Sequence, residues 1–107
     1  MIIYNVTANI DDSIHDEWLV WIKDHIPQVL ATGKFDKAIL TKVLVEEETG
    51  GHTYSIQYRS YSREALDAYY KEDAEKLRTD GLKRFADKML AFRTELQIVD
   101  EYTVNFN

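Results

Sequence analysis

An α+β domain in the order strand, helix, strand, strand, helix, strand is predicted by three observations. Two stretches place apolar residues three and four apart, as helices buried along one side do. Four others alternate apolar and polar residues, as half-buried strands do. The breaks between them are short, with one Pro and four Gly in 107 residues and no low-complexity tract.

Residues 2–10 open the pattern, with Ile2, Tyr4, Val6, Ala8 and Ile10 on one side and Asn5, Thr7 and Asn9 on the other. Asp11-Asp12-Ser13 stops this strand, and Ser13 with Asp16 resembles a capping box, where acids meet the positive end of a helix. The first helix is expected over 14–30. Trp18, Trp21, Ile22, His25, Ile26 and Val29 lie on its stripe; Pro27 removes a backbone donor and should kink the last turns. Thr32-Gly33 ends it.

A second strand is expected over 35–47, with Ile39, Val43 and Val45 assigned inward and Leu40, Lys42 and Leu44 outward. Glu46-Glu47-Glu48 reads as a solvated strand end, and Gly50-Gly51 as a hairpin turn. The third strand, 53–61, points Tyr54, Ile56 and Tyr58 one way and Ser55, Gln57 and Arg59 the other. Ser62 can cap one long second helix with the stripe Leu66, Tyr70, Ala74, Leu77, Gly81, Phe85 and Met89. Gly81 on that stripe marks either a close backbone approach or a break. The last strand, 90–99, is assigned Phe92, Thr94, Leu96 and Ile98 inward and Arg93, Glu95 and Gln97 outward. From Asp100 a tail spaces Tyr102, Val104 and Phe106 alternately, as an extended segment pairing with an edge of this or another chain would.

Right-handed crossovers on both strand–helix–strand units give a ferredoxin-like antiparallel sheet of order 4-1-3-2 with both helices on one face. The length suits one domain over residues 1–107 with a single core. Thirteen basic residues against nineteen acidic ones leave a net charge of −6, which disfavours nucleic acid and anionic membranes as partners. The absence of Cys excludes disulfides and thiol chemistry. Neither a leader-like start nor a bilayer-length apolar run is seen, and the expected location is the cytoplasm.

One sheet face is left bare. Apolar residues assigned there (Ile3, Leu40, Leu44, Val99) around a polar centre suit a second copy packed face to face, a dimeric α/β-barrel. Asn5, Gln57, Arg59, Arg93 and Glu95 are the candidate ligand-binding group on that face, able to hold a carboxylate or phenolate by paired hydrogen bonds. The competing reading is an ion-pair network that fixes dimer register. His25, on the apolar stripe beside Pro27, is a candidate general base, against a satisfied half-buried histidine. Asp11, Asp12, His15 and Asp16 have metal-ligand chemistry, but a helix start explains each of them, and no metal or cofactor is expected.

The stretches 1–7, 18–27, 31–35 and 92–96, including Trp18-Leu19-Val20-Trp21-Ile22 and Ala31-Thr32-Gly33-Lys34-Phe35, resemble a small bacterial family, domain-of-unknown-function family 4286. The likeness runs to about Val99. The family is similar in architecture to the dimeric α/β-barrel superfamily, which includes antibiotic-biosynthesis-type and haem-degrading monooxygenases. Asn5 matches the first-strand Asn of the haem-degrading members, but their later Trp and His have no counterpart after His52. Two function classes follow. One is a protein that binds a small aromatic or anionic molecule, extending to a cofactor-independent monooxygenase-like enzyme. The other is a non-catalytic homodimerisation or regulatory module. An RNA-reading sheet is excluded by the acidic charge and by the lack of aromatics expected on the bare face.

Overall fold

The computed structural model describes residues 1–45 and 50–104; the expectations for Glu46-Glu47-Glu48 and Phe106 lie outside them. The elements are β1 (Ile2–Ile10), α1 (His15–Leu30), β2 (Phe35–Lys42), β3 (His52–Ser60), α2 (Arg63–Glu72), α3 (Ala74–Phe85) and β4 (Met89–Gln97). Short 3-10 turns, Asp12–Ile14 and Ala86–Lys88, precede α1 and β4. The four strands form one sheet in the order β2-β3-β1-β4, the predicted topology, with every pairing antiparallel.

Local signals are read with small shifts. Asp11, not Ser13, caps the first helical turn, accepting from the Ser13 amide at 3.0 Å and from the Ser13 hydroxyl. α1 runs on past Pro27 to Leu30. Ser62 caps α2 as expected, its hydroxyl accepting from the Ala65 amide at 3.0 Å. The expected long second helix is two helices joined at Asp73. Lys34, ahead of β2, grips this joint by ion pairs to Glu72 at 2.9 Å and Asp73 at 3.3 Å. Gly50 and Gly51, just before β3, both hold positive φ, which favours glycine at these two positions; the rest of the expected hairpin turn lies outside the described residues.

Gly81 sits inside α3 without breaking it, and the close approach is to α1 rather than to the sheet. A Cβ there would lie 2.8 Å from Trp21 Cη2. Gly81→Ala should therefore destabilise the fold by about 1–2 kcal/mol in urea unfolding, overpacking against the indole outweighing roughly 1 kcal/mol of helix propensity. A more stable variant would mean that Trp21 moves freely.

The core lies between the sheet and the helices. Ile10, Trp18, Ile22, Val29, Ile56, Leu66 and Phe85 are all buried there. An aromatic group forms around Tyr4, whose ring lies 5.7–6.2 Å from those of Phe35, Tyr58, Tyr69 and Tyr70.

The faces of β1 and β3 are as predicted, but those of β2 and β4 are inverted. Directly paired residues share a face, and Ile39 pairs with Gln57, Phe92 with Thr7 and Leu96 with Ile3. Ile39, Phe92 and Leu96 therefore lie on the open face. Leu40, Lys42, Arg93 and Glu95, opposite Ile56, Tyr54, Val6 and Tyr4, lie on the helix side. A register irregularity at Asp36, between Phe35 and Lys37, precedes the inverted stretch of β2. β4 is an edge strand entered through Ala86 at φ 46°, and its charged residues find partners on the helix side, Arg63 of α2 for Glu95 and Tyr4 of β1 for Arg93. Val43 and Leu44 lie beyond the strand, Leu44 being exposed, and Ile98 is only half-buried. The tail carries no strand from Ile98 to Val104; one hydrogen bond, Ile98 N–H to Met1 C=O at 3.1 Å, continues the pairing of β4.

Candidate functional site

The predicted ligand-binding group does not form as one cluster. Asn5, Gln57 and Arg59 share the open face, whereas Arg93 and Glu95 point to the other side of the sheet. Asn5 is engaged within the sheet, accepting from Ser55 at 2.6 Å and donating to Thr7 at 3.1 Å. Arg59 makes a two-pronged contact with Asp36 at 2.9 and 2.8 Å, which holds the Asp36 carboxyl below the usual carboxylate range. Glu95 is gripped by Arg63 at 2.8 and 3.0 Å and by the Tyr70 hydroxyl at 2.6 Å, which bring its pKa down to about 2.

The acidic helix start is likewise occupied. Asp12 holds His52 at 2.8 Å, His15 meets the Tyr54 hydroxyl at 2.6 Å, and the two imidazoles stack with centroids 3.6 Å apart. Among the described residues no group of three or more His, Asp or Glu has metal-ligand geometry.

Arg93 and His25 instead meet at a cavity of about 420 Å³ between α1, α3 and the β1–β4 half of the sheet. That volume suits a small organic molecule. Its walls are mainly apolar: Val6 and Ala8 from β1, Trp18, Trp21 and Ile22 from α1, Met89 from β4. One end is polar. Arg78 of α3 and Arg93 of β4 both donate to the Tyr4 hydroxyl oxygen, at 2.7 and 3.0 Å. Tyr58 and Tyr69 line the same chamber; burial raises both phenols, Tyr69 to about 12, so they remain neutral donors at physiological pH.

His25 stacks on Trp21 with centroids 4.4 Å apart, and neither ring nitrogen has a hydrogen-bond partner among the described residues. Burial pushes its pKa below the ordinary imidazole value; Asp80 pulls the other way and Arg93 adds to the lowering. The ring is neutral near pH 7, the form able to accept a proton.

Two buried donors lack acceptors among the described residues. Trp18, 1% exposed and lining the cavity, has an unpartnered Nε1–H, and so does Arg78 at Nε. Trp21, by contrast, donates its Nε1–H to Asp80 at 2.7 Å. The sequence reading missed Arg78, Tyr4 and the Trp18 indole as polar site groups. Arg78 did leave a signal: it lies four residues after Ala74 and three before Gly81, on the inward side of α3, where a charge is costly unless it is used.

This arrangement, a four-stranded antiparallel sheet with helices on one face and a chamber between them, defines a ferredoxin-like α+β protein. The chain belongs to the family Domain of unknown function (DUF4286), whose model matches residues 1–99. It is similar in fold to a dimeric ferredoxin-like protein from an uncultured marine organism (TM-score 0.71, 14% identity, 94% of this chain and 97% of that one). A second dimeric ferredoxin-like protein, also from an uncultured marine organism, gives TM-score 0.62 at 15% identity over 97% of this chain and 100% of that one. A candidate antibiotic biosynthesis monooxygenase from Deinococcus radiodurans gives 0.57 at 15% identity over 100% and 99%. No curated protein matches the sequence. No helix among the described residues is long and apolar enough to cross a membrane.

Proposed function

We propose that this protein binds a small, largely apolar molecule in the chamber between helices and sheet, and does so as a homodimer joined through its open sheet faces. The observation that carries the binding reading is the Trp18 Nε1–H, buried at the wall of an apolar cavity without an acceptor among the described residues. Such a group costs about 1–3 kcal/mol unless something bonds to it, and a ligand oxygen in the cavity that Trp18 lines would supply the missing acceptor.

The open face supports the pairing. Its paired positions carry Leu90, Phe92, Leu96 and Ile39 around Asn5, Thr7, Ser55 and Gln57, with Lys37 and Arg59 the only charged residues among them. Phe92 is 61% exposed and Leu90 59%. Depletion of charge together with exposed apolar and aromatic side chains marks a face suited to an interface. The polar centre is largely bonded within its own sheet, as by Asn9 to Thr53 at 3.1 Å, so covering it costs little. Two neighbours of similar fold are described as dimeric, which supports a homodimer in general.

The binding reading is tested by intrinsic fluorescence. The two Trp residues of the chain, Trp18 and Trp21, both line the cavity. Titration with the neutral apolar fluorophore N-phenyl-1-naphthylamine should quench their emission saturably at one probe per chain. Ala91→Leu, which fills the cavity from β4, should abolish this without unfolding the protein. Unquenched emission at saturating probe would refute the reading.

A further inference from the structure

The polar end of the cavity carries a charge imbalance that an apolar pocket alone does not explain. In a chain of net charge −6, Lys34, Arg59 and Arg63 each hold carboxylates in ion pairs. Arg78 and Arg93 have none among the described residues, although carboxylates outnumber cations in the sequence. They converge on a single neutral acceptor, the Tyr4 hydroxyl. Arg78 is further packed against aromatic faces, its guanidinium carbon 5.8 Å from the Tyr70 ring centroid and 6.0 Å from that of Tyr4.

No Asp or Glu among the described residues lines the chamber. The phenols of Tyr58 and Tyr69 are neutral, and so is His25. Two like charges drawn to one oxygen in a partly desolvated site repel each other unless an anion sits between or beside them. The Arg78 Nε–H is itself buried and unpartnered among the described residues, and so is the indole N–H of Trp18, another lining residue. Beyond the two hydrogen bonds to Tyr4, these donors meet no acceptor among the described residues, and no carboxylate lines the chamber to balance the two guanidiniums.

We propose that the cavity selects a planar aromatic monoanion, with its carboxylate or enolate oxygens held by Arg78, Arg93 and the Tyr4 hydroxyl and its ring system against Trp18 and Trp21. This rests on the binding reading above and adds the charge and shape of the ligand. The guanidiniums supply directed, charge-assisted hydrogen bonds. The flat indoles supply the stacking surface. The same pair sets a second constraint: a cationic ligand would meet two guanidiniums and no carboxylate among the lining residues, so amines are rejected.

Three size-matched probes, compared by tryptophan quenching and by calorimetry, decide the matter: 2-naphthoate, 2-naphthamide and octanoate. 2-Naphthoate should bind at least about tenfold more tightly than 2-naphthamide in wild type, and the advantage should shrink as salt is raised. Arg78→Met and Arg93→Gln should each reduce the acid-over-amide ratio towards one while leaving 2-naphthamide affinity within about twofold. Arg93→Gln covers the case in which Arg78→Met fails to fold, since Arg93 is exposed along much of its length. Arg84→Gln, an exposed charge of α3 outside the cavity, should leave the ratio as in wild type.

Equal binding of acid and amide would overturn the anion inference and leave the cavity reading standing. Octanoate binding as tightly as 2-naphthoate would overturn the planar part. Loss of the ratio in Arg84→Gln as well would show a diffuse surface effect and overturn the site. Failure of all three probes while N-phenyl-1-naphthylamine still binds would overturn this inference alone, and failure of that fluorophore as well would overturn the binding reading beneath it.

Discussion

A chain carrying both Phe92→Glu and Leu96→Glu should sediment as a monomer at concentrations where the wild type is a dimer, with its dissociation constant raised at least about a thousandfold. In the isolated chain both side chains are exposed on the open face of β4, so the fold has little to lose. In a face-to-face pair each substitution appears twice, because a two-fold interface uses the same patch on both copies. A buried carboxylate without a partner costs several kcal/mol, while a thousandfold shift needs only about 4 kcal/mol. The nearest cations on that face are Lys37 and Arg59, and Arg59 is already committed to Asp36. The sheet has the area that such a pairing needs. Four strands of about nine residues present roughly 600 Å² of projected area per copy, which for two copies reaches the lower range of specific interfaces. Val20→Glu on the outer side of α1, also exposed, should leave the assembly unchanged. A wild type that sediments as a monomer at tens of micromolar, or a double variant that still pairs, would refute the sheet-face dimer.

The inverted faces of β2 and β4 sharpen this expectation. The alternation in residues 89–97 is genuine; its apolar side is the open one, although apolar residues are normally expected under the helices. Phe92 and Leu96 are apolar on a face that this chain alone does not cover. Arg93 and Glu95 are charged on the covered side because, at the edge of the sheet, each reaches a partner: Tyr4 for Arg93, Arg63 and Tyr70 for Glu95. The sequence therefore carries the period of β4 but not its phase. Phase depends on what lies over each face, and a single chain does not contain that information.

Other elements are legible because their signals are local. The Ser62 cap and the inward rows Tyr4-Val6-Ala8 and Tyr54-Ile56-Tyr58 all follow from neighbouring residues. The joint at Asp73 is not legible, since it is held by Lys34, thirty-nine residues away in sequence. The cavity is the same kind of case. His25 and Arg93 both stand out in the sequence, but as members of different surfaces. What unites them is Arg78, whose role is set by its contact with Tyr4 across seventy-four residues.

Tyr4 is the residue on which core and site both depend, and two substitutions should separate its parts. Tyr4→Phe keeps the ring and removes the oxygen shared by Arg78 and Arg93. Because hydrogen bonds to charged groups contribute about 1.5–3 kcal/mol, and Arg93 can turn to water, a net loss of about 2 kcal/mol is expected in urea unfolding. Tyr4→Ala also removes the ring packed against Phe35, Tyr58, Tyr69 and Tyr70. That deletion costs roughly 3–5 kcal/mol more, which in a domain stable by about 5–15 kcal/mol brings the variant to the edge of unfolding. The hydroxyl also holds two like charges together. A double-mutant cycle of Tyr4→Phe with Arg78→Met should therefore show a coupling of about 1–2 kcal/mol, since either change alone already breaks the 2.7 Å contact. Additive losses would mean that Arg78 is held by the rings and not by the oxygen. The Arg pair would then have no fixed geometry to offer a ligand.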